Sequence, residues 1–358
     1  MTDNADLTRW ATWTETHAQP QLWRDWSRVL DVDGLRGWVA EQSVDEVWFC
    51  GAGTSAYIGD ILVSGLEGQG GPRLRAVPST DLVARPQAYL RGRRPLVVNF
   101  GRSGNSSETV GTLDALDVLA PSAPRLNITC NPDGVLATRG GAESRVVLLP
   151  PETHDAGFAM TSSFSTMLLT ALMVFAEDRQ DPDAMNRAAT TMEAVLPEYA
   201  ARTGARPDRA VFLGTGPLAY AAREAALKVM ELTAGQVPCL WDSVLGFRHG
   251  PKSFTTQATR IVILTDANDP ACRYEADLVA ELRAQYPDAT VTAIGPGGDI
   301  DLPHPDGPLW AAPVAIGFAQ VAGVIWADGL GLNVDDPFSG QGTLSRVVSG
   351  VTLYEVAP

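Results

Sequence analysis

Short apolar runs rich in β-branched and aromatic residues recur through the first half of the chain: DEVWFC (45–50), RLRAVP (73–78), PLVVNF (95–100), RLNITC (125–130) and RVVLLP (145–150). Segments of helical length separate several of them, including VGTLDALDVL, where Val110, Leu113, Leu116 and Leu119 recur at helical spacing. Short apolar strands alternating with helices predict a parallel sheet covered on both faces. Helices are expected at 163–177 and 183–198, followed by a polar linker, ARTGARPDR (201–209). The pattern then restarts. AVFLGTGPLAYAAREAALKVMEL repeats the order of VWFCGAGTSAYIGDILVSGL: a strand, Gly-x-Gly, then a helix of small and apolar residues. Strands at 260–266, 289–295 and 307–313 and a helix near 315–330 complete the second half. The expectation is an α/β chain made of two similar, doubly wound halves. The first 40 residues, with Trp at 10, 13, 23, 26 and 38, read as helices packed on this framework. The expected partition is a helical segment 1–40, a first domain 41–200 and a second domain 201–358 with the tail.

A length of 358 residues suits two domains. No uninterrupted apolar stretch reaches the ~18 residues of a membrane span, and MTDNADLTRW lacks the basic start and apolar core of a secretion signal, so a cytoplasmic protein is expected. Asp and Glu number 42 against 27 Lys and Arg, a net charge of -15, which argues against nucleic acid as the main partner. Cys50, Cys130, Cys239 and Cys272 form no CxxC pair and are expected as free thiols. His17, His154, His249 and His304 lack ligand spacing, so no metal site is expected.

Four stretches carry candidate chemistry. Gly51-Ala52-Gly53-Thr54-Ser55-Ala56 fits G-x-G-x-x-G/A between a strand and a helix, so a dinucleotide site is weighed against a tight turn that needs glycine for backbone reasons alone. Asp81, near the place of a ribose-binding acid, follows Pro78-Ser79-Thr80 in a turn of its own. The hydroxyls of Thr54 and Ser55 beside Gly53 suit a sugar or phosphate better. In NFGRSGNSSET (99–109), Asn105 and Glu108 make a capping-box pattern, which explains two residues only. Ser103, Ser106, Ser107 and Thr109 add hydroxyls to the backbone N–H groups at the positive end of the helix, and Arg102 adds a full charge. Anion binding is therefore favoured over simple capping.

On the predicted helix 217–232, Glu224, Lys228 and Glu231 share one face while most of the remaining circumference is Ala, Leu, Val and Met. The stripe is expected to line a cleft or a subunit seam; the alternative is a surface ladder worth ~0.3–0.5 kcal/mol per pair. His249 lies in the turn GFRHGPKS (246–253), where Arg248 and Lys252 are expected to hold it neutral, as suits a proton acceptor.

These motifs together resemble the sugar isomerase (SIS) domain family, specifically its galactosamine-6-phosphate deaminase/isomerase branch, also called tagatose-6-phosphate ketose/aldose isomerase. The resemblance spans nearly the whole chain, through ETHAQPQLW (15–23), GAGTSAYIGD (51–60), PSTDLVARP (78–86), FGRSGNSSET (100–109), ITCNPDG (128–134), THDAGFAMTSS (153–163), AAREAALKVMELTAGQV (221–237), DSVLGFRHGPKS (242–253) and SRVVSGVTLY (345–354). It implies two SIS domains, each a doubly wound, flavodoxin- or Rossmann-like parallel sheet flanked by helices. It also implies a homo-oligomer, dimer or tetramer, with active sites where domains and subunits meet. Ser55, Ser103, Ser106 and Asn105 would hold the sugar phosphate, with Gly53, Thr54 and Arg102 beside them. Glu231 would move the proton between C1 and C2, His249 would open the sugar ring, and Lys228 and Glu224 would support the base. Gly101 stands where the wider family commonly has serine, and Thr16 replaces the usual apolar residue after Glu15.

The reaction so implied starts from a 2-amino sugar 6-phosphate. His249 shuttles a proton between ring oxygen and O1, Glu231 removes the C2 proton, and the enediol or enamine is reprotonated at C1. Lys228 stabilises developing negative charge. With nitrogen on C2 the product is a ketimine, and water releases ammonia and tagatose 6-phosphate without metal or redox cofactor. The rivals are plain aldose–ketose isomerisation of a hexose 6-phosphate or 6-sulfonate, a non-catalytic sugar-phosphate sensor, and an NAD(P) oxidoreductase.

Overall fold

The computed structural model describes residues 4–141, 143–176, 183–342 and 344–357. In chain order its elements are α1 (Ala11–Val29), α2 (Val32–Glu41), β1 (Glu46–Cys50), α3 (Thr54–Gly65), β2 (Arg73–Ala76), α4 (Ser79–Ala84), α5 (Pro86–Leu90), β3 (Leu96–Gly101), α6 (Ser107–Leu119), β4 (Arg125–Thr129), α7 (Val135–Thr138), β5 (Ser144–Leu148), α8 (Ser162–Phe175), α9 (Ala184–Arg202), β6 (Arg209–Gly214), α10 (Pro217–Leu232), β7 (Cys239–Ser243), β8 (Thr259–Leu264), α11 (Ala271–Gln285), β9 (Thr290–Gly295), β10 (Ile300–Asp301) and α12 (Pro308–Gly329). Short 3-10 turns fill several connections.

Two all-parallel sheets result. The first has strand order β2-β1-β3-β4-β5, and the second runs β10-β9-β8-β6-β7. Counting strands within each half, both orders are 2-1-3-4-5, the doubly wound arrangement whose direction reverses between strands 1 and 3. Register at those reversals is Cys50↔Asn99 in the first sheet and Leu213↔Ile263 in the second. The central strands β3, β4 and β8 are buried at every position; β3 and β8 are accordingly mostly apolar runs, whereas β4 alternates buried polar and apolar residues, with Asn127 accepting a hydrogen bond from Asn99. Trp48, Val97, Leu82, Leu90 and Leu116 form one core cluster, and Val211, Ile261, Ile263, Phe247 and Leu278 another.

The duplication reaches the backbone dihedrals. Gly53 before α3 has φ 56, ψ -131, and Gly216 before α10 has φ 56, ψ -129, a region closed to other residues without strain. Two residues earlier, a Cβ on Gly51 would stand 2.6 Å from the Ser55 carbonyl carbon, and one on Gly214 2.4 Å from that of Leu218. Each Gly-x-Gly thus lets a strand pass directly under the helix that follows it. The copies differ at the next residue: α10 starts with Pro217, which has no N–H to offer, whereas α3 starts with Thr54.

The chain forms two compact units that do not follow chain order. The first sheet lies in a unit of Asp25–His154, Ser162–Pro182 and Leu344–Pro358; the second lies in Met1–Arg24, Asp155–Thr161 and Asp183–Thr343. Residues 1–24 therefore join the second sheet and the tail joins the first, unlike the sequential partition expected above. Asp335 fixes the N-terminal segment by accepting the Ala11 and Thr12 amides at 2.8 Å.

Residues 307–313, expected as a strand, instead open α12. Gly307 (φ 86) breaks the preceding chain and Pro308 takes the first helical position. The fifth strand of the second sheet is the two-residue β10, and β7, half-buried at every position, was not foreseen. α12 is long and apolar enough to cross a membrane, but 94% of its most apolar window is buried inside the protein, and Gln320 within it accepts a 2.8 Å hydrogen bond from Gln19. It is a core helix packed on α9 and α10. None of the four cysteines forms a disulfide, and Cys50 and Cys130 are buried.

Candidate functional site

The first-sheet unit carries the anion-binding candidates at the carboxyl end of β1 and β3, the reversal point where open α/β sheets bind ligands. Gly53 turns the chain after β1, and Thr54 and Ser55 begin α3 with buried side chains. After β3 the turn 101–106 leads into α6. The amides of Ser103, Gly104, Ser106 and Glu108 donate to no acceptor among the described residues, while neighbouring amides are paired. Ser103 Oγ accepts the Asn105 amide at 3.2 Å, which folds the turn back on itself. A nest of open N–H groups at a helix N-terminus is the arrangement that generally suits an anion, which keeps this turn the anion-binding candidate.

The capping expected of Asn105 and Glu108 lies elsewhere. Ser106 is the N-cap of α6, its Oγ accepting the Thr109 amide at 3.2 Å and meeting Thr109 Oγ1 at 2.9 Å. Asn105 Oδ1 instead accepts the Val135 amide of α7 at 2.8 Å, tying two consecutive strand ends together. Arg102, expected to face the anion, is 6% exposed, and its Nη2 donates to the Arg346 carbonyl of the C-terminal segment at 3.0 Å.

Polar residues not singled out beforehand hold the turn. Asn131 Nδ2 donates to the Ser103 carbonyl at 2.8 Å, and below it Asn99 Nδ2 donates to Asn127 Oδ1 at 2.8 Å. Asn131 lies in the quoted ITCNPDG, but its partner is 28 residues away. Gly101 is fixed by packing: a Cβ there would come 3.1 Å from Leu136 Cδ2, so a serine requires Leu136 to move.

The second-sheet unit carries the acid–base candidates on α10. Lys228 and Glu224 are wholly buried and Glu231 is 24% exposed; Lys228 Nζ lies 3.4 Å from Glu224 Oε1 and 2.5 Å from Glu231 Oε2. The stripe is therefore no surface ladder. Burial works against the lysine charge, but the two carboxylates outweigh it and hold the Lys228 pKa above its ordinary value. One cation between two carboxylates fixes the rotamer of Glu231, the member that reaches solvent. A carboxylate so held can take up and return a proton beside an ammonium that stabilises an adjacent oxyanion.

His249 ends a 3-10 turn, Gly246–His249, and is exposed. Among the described residues no hydrogen bond or ion pair joins it to the stripe. Arg248 and Lys252 do not face it as uncompensated charges: both pair with Glu281, Arg248 Nη2 at 2.9 Å, and the Glu281 carboxyl is held below its usual range, most strongly by the Lys252 hydrogen bond. Glu281 on α11 was invisible to local pattern because its partners are 29 and 33 residues away.

A further acid, Glu15 on α1, accepts the Ala156 amide at 2.5 Å and the Gly157 amide at 3.4 Å. Burial and the nearby Asp155 raise its pKa to about 7. ETHAQPQLW and residues 155–161 of THDAGFAMTSS thus meet within one unit.

No family model matches the chain. It is 37% identical to the D-galactosamine-6-phosphate deaminase AgaS of Escherichia coli over 96% of each chain. It is 36% identical to that of Shewanella sp. (strain ANA-3), over 96% of this chain and 92% of the relative. The crystal structure of tagatose-6-phosphate ketose/aldose isomerase from Escherichia coli superposes with TM-score 0.85 at 34% identity, covering 96% of both chains. With two 2-1-3-4-5 sheets and relatives matched end to end, the chain belongs to the SIS-fold family of D-galactosamine-6-phosphate deaminase AgaS.

Proposed function

We propose that this enzyme converts galactosamine 6-phosphate to tagatose 6-phosphate and ammonia. The observation that carries the reading is the α10 triad, in which a fully buried lysine pins the one carboxylate that reaches solvent. In this reading the phosphate takes the free amides of Ser103, Gly104, Ser106 and Glu108, with the hydroxyls of Ser103, Ser106, Thr54 and Ser55 as further donors. His249 moves a proton from O1 to the ring oxygen as the ring opens. Glu231 takes the C2 proton and returns it to C1 while a proton passes from the C2 amine to O1, so the aldehyde becomes the C1 alcohol and the amine a ketimine. Water adds to that ketimine, the C–N bond breaks, and ammonia leaves behind a C2 carbonyl. Lys228, itself wholly buried, acts through Glu231 by holding that carboxylate and biasing the field at the developing O1 charge, and Glu224 holds Lys228 in place.

The names of the relatives and the donor-rich turn support a phosphorylated amino sugar over an unphosphorylated one. The reading includes a cytoplasmic homo-oligomer, which sedimentation of the purified protein tests. The deciding assay follows ammonia and ketose together from galactosamine 6-phosphate, glucosamine 6-phosphate, tagatose 6-phosphate and unphosphorylated galactosamine. Ketose without ammonia would make the enzyme a plain isomerase. Glu231→Gln is expected to abolish turnover while leaving substrate binding largely intact, and Ser103→Ala to raise KM. Normal kcat in Glu231→Gln would refute the assignment.

A further inference from the structure

The C-terminal segment has no helix or strand between residues 344 and 357, and Leu344, Val348, Val351 and Tyr354 expose their side chains. It is nevertheless attached to its unit at defined points, and these converge on the anion turn. Arg102 Nη2 donates to the Arg346 carbonyl at 3.0 Å. The Ser107 amide, first in α6, donates to the Val348 carbonyl at 3.1 Å. One turn along α6, Gly111 leaves room for Leu353: a Cβ there would come 3.0 Å from Leu353 Cδ2 and 2.9 Å from Val83 Cγ2. Farther on, Val356 packs against the cluster containing Trp48, Leu82 and Leu116, and Gln87 Nε2 donates to the Ala357 carbonyl.

Two donors that bracket the turn, Arg102 and Ser107, are thus committed to carbonyls of the tail, while the amides of Ser103, Gly104, Ser106 and Glu108 stay open. Main-chain carbonyls carry no net charge, so the segment fixes the turn without repelling an incoming dianion. We propose that residues 344–357 are a positioning strap for the anion turn, latched by Arg102, whose guanidinium serves the strap rather than the phosphate. This rests on the proposed phosphate role of the turn. Arg102 is a positioning residue: it acts through the tail.

The test is a double-mutant cycle in the full-length chain. Leu353→Asp with Val356→Asp releases the strap, Arg102→Ala removes the latch, and a third protein carries all three changes. Three quantities are read: KM and kcat with galactosamine 6-phosphate, and the Kd of inorganic phosphate by calorimetry. Loss of one charge-assisted hydrogen bond's positioning predicts a rise of about tenfold in KM and in phosphate Kd for either change, with kcat within about threefold. The combined protein should be no worse than the weaker of the two, because both break the same device. Arg102→Lys, which can still donate to the Arg346 carbonyl, should recover most of the loss. Multiplying effects, about a hundredfold in the combination, would mean that Arg102 meets the phosphate itself and would overturn the proposal, as would unchanged phosphate binding on strap release. Should Arg102→Ala not fold, strap release alone decides through phosphate Kd. Absence of turnover in the unmodified enzyme would count against the deaminase reading, while phosphate calorimetry would still judge the strap.

Discussion

Replacing Lys228 with methionine isolates the interaction at the heart of α10. At an effective dielectric of about 20, a unit charge pair at the 3.4 Å separating Lys228 from Glu224 attracts by about 5 kcal/mol, offset in the intact protein by the desolvation of both groups. Removing the lysine forfeits the attraction and leaves the desolvation of Glu224 in place, since that side chain is wholly buried. Breaking a buried pair from one side costs about 3–5 kcal/mol, which at this size lowers Tm on the order of 10 °C. Lys228→Met with Glu224→Gln should be more stable than Lys228→Met alone, by most of that amount, because no charge is then stranded. The single variant should also regain stability in acid, because desolvation favours the neutral form of the buried Glu224 carboxyl; the double variant should not. Thermal unfolding of the three proteins at pH 5 and 7.5 reads all of this. Equal Tm for Lys228→Met and the double variant at pH 7.5 would refute the premise that Glu224 depends on Lys228 for its charge.

Glu15 gives a pH signature. Its folded pKa, about 7, exceeds the ordinary 4.5, so the folded state holds the proton more tightly and this group's contribution falls as pH rises from about 4.5 to 7, then levels. Glu15→Gln should flatten that part of the Tm–pH curve; an unchanged slope would sink the assignment. Gly53→Ala and Gly216→Ala should each cost about 1–3 kcal/mol in urea unfolding, and by similar amounts, because both have the same positive φ and open space around the missing Cβ. Asn105→Ala should cost about 1 kcal/mol through the lost cap on Val135, with Asn105→Asp retaining most of it by the same measurement.

The sheets were legible where burial on both faces left apolar runs, as at PLVVNF and the strand at 260–266. Legibility failed at the edges. CLWDS, half-buried throughout, has no apolar face to announce β7, and two residues of β10 carry no period at all. GPLWAAP misled because a short apolar run is common to strands and buried helices; Gly307 and Pro308 were the helix-start signal that outweighed it. At the site, Glu224, Lys228 and Glu231 were readable because helical spacing is local and their apolar surroundings foretold burial. The roles of Arg102 and Glu281 were not readable. Each depends on a partner brought near by the fold, 244 residues away for Arg102 and about 30 for Glu281.

The proline that heads the second Gly-x-Gly helix has a consequence for stoichiometry. A copied half with its full set of helix-start amides would be a rival receptor, able to sequester the anionic end of a substrate away from the reactive carboxylate. Pro217 deletes one of those donors and fills its place with a ring. The start of α10 is thereby a poorer anion receptor than that of α3, and on the proposed reading, in which the first-sheet unit grips the anion, phosphate should saturate at one per chain.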